Sequence, residues 1–163
     1  MIVVADTSVI LNLCCVEQDH LLPALFHEVW IPDEVRMEFE RLSLHQPRFH
    51  DLRLPDWALI KPAAPVSAAL AAMANLHAGE TAALALAVNG HADAVLMDET
   101  AGRRAAQLLG LPVIGVLGVL LQARRSGLLL AIKPVLQRLA AEAGFWLSPA
   151  LVAEALRKCG ETE

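Results

Sequence analysis

Asp6, Glu38, Glu80 and Asp98 are four carboxylates placed where apolar segments end or helices begin, in a chain of 163 residues of which only 19% are charged. Asp6 follows Ile2-Val3-Val4-Ala5 and Asp98 follows Ala94-Val95-Leu96-Met97, so each closes a buried-strand pattern. Ligands of open α/β sheets bind at that edge. Carboxylates gathered there suit a hard cation such as Mg2+ or Mn2+, which takes its oxygens from a few acids, water and substrate phosphate. Such an ion polarises a phosphodiester and lowers the pKa of a bound water, so hydrolytic phosphodiester cleavage is the chemistry to expect.

Each acid alone has a plainer reading. Asp6 can be only a helix cap, Glu38 and Glu80 only helix-surface charges, and Asp98 only a turn residue. Asp6 and Asp98 are harder to explain in that way, because a strand-end carboxylate has no solvent-facing helix surface to occupy. Glu99 adjoins Asp98 and reads as a fifth ligand, a supporting acid or an exposed charge. Arg103 and Arg104 follow on the next helix, within reach of a phosphate or on a solvated face. His77 precedes Glu80 without a matching histidine for zinc, and reads as a capping or surface residue. Two local basic clusters, His45, Arg48, His50 and Arg53, and Arg124, Arg125 and Lys133, suit a nucleic-acid backbone rather than base reading.

The elements that must position these residues alternate. The pattern predicts a strand over 2–5, a turn at Asp6-Thr7-Ser8 with Thr7 or Ser8 able to cap the helix that follows through about 16, and a short helix over 21–28. A further helix is opened by Ile31-Pro32, with Val35, Glu38, Phe39 and Leu42 at helical spacing. A polar, flexible excursion spans 45–55, a short strand 57–61, and two Ala-rich helices, 67–76 and 80–88, are parted by Gly79. Then come strand 94–97, helix 101–109 stopped by Gly110, strand 112–114, and helical segments over 116–125, 132–143 and 149–158. This β-α-β-α-β rhythm predicts an α/β fold with parallel strands.

Composition narrows the alternatives. The chain is expected to be a single domain over 1–163, with residues from about 126 onward as a helical C-terminal extension, and to bury about 70% of its unfolded surface. Its 56% hydrophobic content with no Tyr predicts an aliphatic core, and the net charge of -5 excludes a global basic field. Cys14-Cys15 and Cys159 make neither a C-x-x-C motif nor an even disulfide framework, which points to reduced thiols in a cytoplasmic protein. No basic n-region follows Met1, so no signal peptide is expected. The uncharged stretch 105–123 is long enough to span a bilayer, but Gly110, Pro112, Gly115 and Gly118 punctuate it as a buried α/β segment, so no membrane is expected as a partner. P-loop, dinucleotide-binding and serine-hydrolase motifs are absent. Ser8 stands where an aspartyl-phosphate enzyme needs its second Asp.

Ala5-Asp6-Thr7-Ser8, Ile31-Pro32 through Val35 to Glu38, Gly79-Glu80 through Ala83 and Leu86-Ala87, Met97-Asp98-Glu99 through Gly102-Arg103, and Leu109-Gly110-Leu111-Pro112-Val113-Ile114-Gly115 together carry a resemblance. Over nearly the whole chain they resemble the PIN-domain ribonucleases, especially a prokaryotic PIN-like group related to the VapC-type toxins of toxin-antitoxin pairs. The resemblance implies a PIN-like central parallel sheet flanked by helices, and Asp6, Glu38, Glu80 and Asp98 binding one or two Mg2+ or Mn2+ ions. It implies RNA cut by a metal-activated water, Ser8 orienting a ligand carboxylate, a homodimer and an antitoxin protein as partner. Many such nucleases carry another Asp, Ser or Thr where this chain has Gly115-Val116-Leu117-Gly118, which bears on a second metal. The C-terminal helices, with Gly144-Phe145 and Ser148-Pro149-Ala150, resemble the PIN-like group rather than a compact toxin. The leading expectation is a metal-dependent endoribonuclease. The alternatives are a catalytically weak PIN-like module that binds RNA or protein, and a small-molecule metallophosphatase.

Overall fold

The apolar run at the N-terminus forms β1 (Ile2–Ala5), the middle strand of a five-stranded parallel sheet in the computed structural model, which describes residues 1–162. The others are β2 (Glu28–Pro32), β3 (Ala58–Lys61), β4 (Ala94–Leu96) and β5 (Val113–Ile114), in the order β3-β2-β1-β4-β5. Val4 sits between Trp30 and Val95 in register, and Leu96 pairs with Ile114. The chain runs outward from β1 through β2 to β3 and then returns to the other side of β1. The topological switch point therefore falls between β1 and β4, beyond whose ends lie Asp6 and Asp98.

Helices cover both faces, as a sheet of parallel strands requires. In chain order they are α1 (Thr7–Cys15), α2 (Leu21–Leu25), α3 (Asp33–His45), α4 (Ala68–Ala71), α5 (Ala78–Asn89), α6 (Thr100–Leu108), α7 (Val116–Arg125), α8 (Lys133–Arg138) and α9 (Pro149–Lys158). Side chains alternate across the sheet. Val3, Ala5, Ile31 and Leu96 join one buried cluster with Ile10, Phe39, Leu120, Ile132 and Leu156, whereas Val4, Val95 and Met97 join another with Leu70, Leu84 and Ala106. The core is aliphatic as composition predicts, and its first cluster takes in the C-terminal helices.

The strand β2 departs from the sequence expectation, which ran a helix to Glu28 and opened the next at Ile31. Val29 and Ile31 point into the core while Trp30 turns to the other face, and that alternation is worth more beside β1 and β3 than a helical turn would be. Trp30 Nε1 donates to Glu28 at 2.6 Å, and the Lys61 ammonium of β3 lies 4.9 Å over the Trp30 ring. Gly79 does not break a helix but lies inside α5, while the helix expected over 67–76 shrinks to α4. The excursion over 45–55 is tied down. Residues Pro47–Phe49 form a 3-10 turn, Phe49, Leu52 and Leu54 pack on the core, and Arg48 donates to the Ala143 carbonyl at 3.1 Å. Arg48 lies where a Cβ at Gly144 would be, and Gly144 takes φ +67 to end the π-helical turn Leu139–Ala143.

Residues 105–123 resolve into α6, β5 and α7, and no helix among the described residues is long and apolar enough to cross a membrane. Cys14, Cys15 and Cys159 are free thiols, and burial pushes the Cys14 thiol up to about 12, so it is unreactive. Leu96 is fully buried at the centre of the sheet. Leu96→Ala is expected to cost about 2–5 kcal/mol in urea unfolding, and a loss under about 1 kcal/mol would show that this strand does not anchor the core.

Candidate functional site

Each acid owes its position to a junction between elements. Asp6 is the N-cap of α1, accepting from the Thr7 amide at 2.7 Å, and is 4% exposed. Glu38 projects from α3 one residue before the buried Phe39, and the Thr7 hydroxyl donates to its Oε2 at 3.1 Å. Glu80 stands in the first turn of α5, 4% exposed, where the helix dipole favours a carboxylate. Glu99 is the N-cap of α6. These four line one cavity of about 170 Å3 together with Thr7, Ser8 and His77.

Asp98 is placed differently. It is not among the residues lining that cavity, and both of its oxygens lie 3.2 Å from the amide of Val116 at the start of α7. Arg103, expected within reach of a phosphate, donates from Nη1 to the Met97 carbonyl at 3.1 Å and lies against Gly115 beside Asp98. Its cation fastens the end of β4. Arg104 faces another cleft, with Met73, Asn75 and Leu108.

The electrostatics follow from crowding acids out of water. Burial pushes the Asp6 carboxyl up to about 7; the Thr7 amide opposes the shift, and the charges of Glu80, Glu38 and Glu99 add to it. Glu80 is also raised, first by burial and then by Glu99 and Glu38 against the lowering effect of His77. Asp98 is raised by burial, against the Val116 amide and Arg103. The Glu80 Oε2 and Ser8 Oγ atoms are buried with no hydrogen-bond partner among the described residues. As the side chains stand, no three His, Cys, Asp or Glu residues among those described gather closely enough to hold one ion. The donor set nevertheless fits a hard cation: the oxygens are anionic, mutually repelling and in part unpartnered, and a divalent charge relieves all three.

Sequence reading missed the residues that make room. A Cβ on Gly79 would stand 2.6 Å from Glu38 Oε2, one on Gly102 would stand 3.0 Å from Glu80 Oε2, and one on Gly115 would stand 2.5 Å from Asp98 Oδ1. Gly79 and Gly115 thus each hold open the space of one carboxylate, while Gly102 makes room first for the Met97 Sδ and then for Glu80. The signal was present as Gly next to Glu80 and Gly after the last strand, but it read as helix breaking and as a missing ligand. Thr7 was seen only as a cap, and its bond to Glu38 joins segments 31 residues apart.

Two outcomes are expected. The folded-state pKa of Asp6 lies above its ordinary value of 3.8, so the fold favours the neutral acid. That stabilisation is complete below about pH 4 and is lost as pH rises through about 7, by up to about 4 kcal/mol. The melting temperature of metal-free protein should therefore fall from pH 5 to pH 8, and Asp6→Asn should flatten that slope. Gly115→Ala should destabilise by about 1–3 kcal/mol, and adding Asp98→Ala should return part of the loss in a double-mutant cycle, whereas simple additivity would deny the steric link.

A family model described as a PIN domain matches residues 2–161. No curated protein matches the chain, and no solved structure does.

Proposed function

The chain belongs to the PIN-domain family, whose members are generally nucleases, and we propose that it is a metal-dependent endoribonuclease. The observation that carries this reading is the convergence of Asp6, Glu38, Glu80 and Glu99 on one cavity at the switch point of the sheet. An all-oxygen set of this charge selects Mg2+ or Mn2+ over softer metals. Bound there, such an ion supplies Lewis acidity toward a phosphodiester and a water of lowered pKa.

The chain's own residues do the positioning. Thr7 holds Glu38 by its hydroxyl and braces Asp6 by its amide, so one residue ties the acids beside α1 and on α3 to each other. Glu80 and Ser8 contribute the unpartnered buried oxygens, and Ser8 lines the same cavity as the acids. Asp98 accepts from the Val116 amide, a contact that fastens α7 against β4. Glu99 takes the fourth cavity-facing place. Aliphatic packing around the buried Asp6 excludes water and strengthens each charge interaction.

The same reading includes what the resemblance implied: RNA as substrate, a homodimer and a toxin role with an antitoxin protein, with the free thiols fitting a reducing, cytoplasmic setting. A second reading, a catalytically weak RNA-binding or protein-interaction module, is favoured by one observation, that no three donors yet stand at ligand distance among the described residues. Mn2+-dependent cleavage of single-stranded RNA separates the two. Asp6→Asn and Glu80→Gln should lower it by about 100-fold or more, since even residues behind metal ligands are worth 10–100-fold. Glu99→Gln should weaken Mn2+ binding in calorimetry more than Asp98→Asn, which should chiefly lower the melting temperature. Unchanged cleavage in the first two variants would refute the nuclease, and RNA binding without turnover in the wild type would establish the module.

A further inference from the structure

A cleft of about 190 Å3 lies between the α4–α5 connection, which gives it Met73, Ala74 and Asn75, and α6, which gives it Ala101, Arg104 and Leu108. It lies along the same two segments that border the acidic cavity, without sharing a lining residue with it. Asn75 is two residues from His77, and Ala101 is two residues from Glu99, each of which lines that cavity. Ala101, Arg104 and Leu108 recur on one face of α6, extending the wall about 10 Å along the helix from the acid at its N-cap.

The chemistry of the cleft is mixed in a particular way. Leu108 is 73% exposed, and Met73 and Ala101 are half-buried, so the walls offer apolar surface without a cover. Arg104 forms no ion pair or hydrogen bond among the described residues. Arg36, Arg138 and Arg157 are each bound to a carboxylate on or next to their own helix, and Arg103 is bound to a backbone carbonyl. Arg41, Arg53 and Arg125 are also unpaired among the described residues, but of these unpaired arginines it is Arg104 that lines this cleft. Asn75 takes φ +65, a left-handed turn that Asn tolerates, and its amide carries both a donor and an acceptor. Apolar walls, one free guanidinium and one amide, next to four anionic groups that repel a phosphate chain unless an ion is present, match one nucleotide: a flat base face, a base edge and a phosphate.

We propose that this cleft binds one unstacked nucleotide of a single RNA strand, adjacent to the phosphodiester held at the acidic cavity. The base lies against Met73, Ala101 and Leu108, its edge meets the Asn75 amide, and Arg104 meets the phosphate. The proposal rests on the nuclease reading for the identity of the strand. It adds a preference: a base paired in a duplex cannot enter, so the enzyme selects single strands or loops, and Asn75 gives that selection some base dependence.

The test is fluorescence anisotropy of the full chain with short labelled homopolymer RNAs, single-stranded and duplex, in Ca2+ as a hard cation to offset the acidic cavity, and across a salt series. The wild type should prefer the single strand at least fivefold. Arg104→Ala should weaken that binding about tenfold and reduce the salt slope by about one, with Mn2+ affinity not weakened. Asn75→Gly, which keeps the left-handed turn, should narrow the differences among homopolymers. Equal binding by both variants and wild type, or equal losses on single strand and duplex, would overturn the cleft. Variant-sensitive single-strand binding without Mn2+-dependent cleavage would support the cleft while overturning the nuclease reading.

Discussion

The Asp6 carboxylate is buried at the end of the central strand, and the arrangement around it follows from that one costly placement. A charge removed from water must be neutralised, hydrogen-bonded or matched by a counter-charge. Here the Thr7 amide gives one hydrogen bond, and burial with three neighbouring acids pushes the group toward its neutral form in the absence of a cation. The sheet makes the burial unavoidable, since β1 is flanked by β2 and β4 and covered on both faces. The fold thus stores an electrostatic demand at the edge where α/β sheets take ligands.

Close packing then decides which acids share the demand. Gly79 lets Glu38 of α3 approach α5, Gly102 lets Glu80 of α5 approach α6, and Gly115 leaves the space that Asp98 fills at the head of α7. Bare backbone at these three points brings helices and carboxylates within van der Waals reach, where any side chain would hold them apart. Gly115, directly after β5, thereby acquires a physical reason. With Asp98 turned to the Val116 amide and Arg103 tied to the Met97 carbonyl, the last strand and α7 are fastened to β4, and Glu99 is the member of the pair that faces the cavity.

Much of the fold was legible because its signals are local. The run Ile2-Val3-Val4-Ala5, the Gly110 stop and the Pro149 helix start each act within a few residues, and α7 and α9 lie where their periodicity puts them. The strand β2 was not legible in this way. Val29, Trp30 and Ile31 do favour extended backbone, but the run is only five residues and ends in Pro32, and its pairing depends on partners from β1 and β3 supplied by distant chain. Similarly, the polar stretch 45–55 reads as mobile by composition, yet Arg48 and the Gly144 turn 96 residues later hold it in place.

The sequence by itself determined that buried strands would end in acids and that an α/β sheet would carry those acids to one edge, because strand pattern and side-chain period are properties of short stretches. It also sufficed for family membership, since the matching segments span residues 2–161. Only the tertiary structure decided which acids face the cavity, that Glu99 does and Asp98 does not, and that Arg103 is a clamp while Arg104 is free. Adjacent residues after a strand point in different directions, and which direction meets an amide, a glycine or open space depends on helices that arrive from elsewhere in the chain.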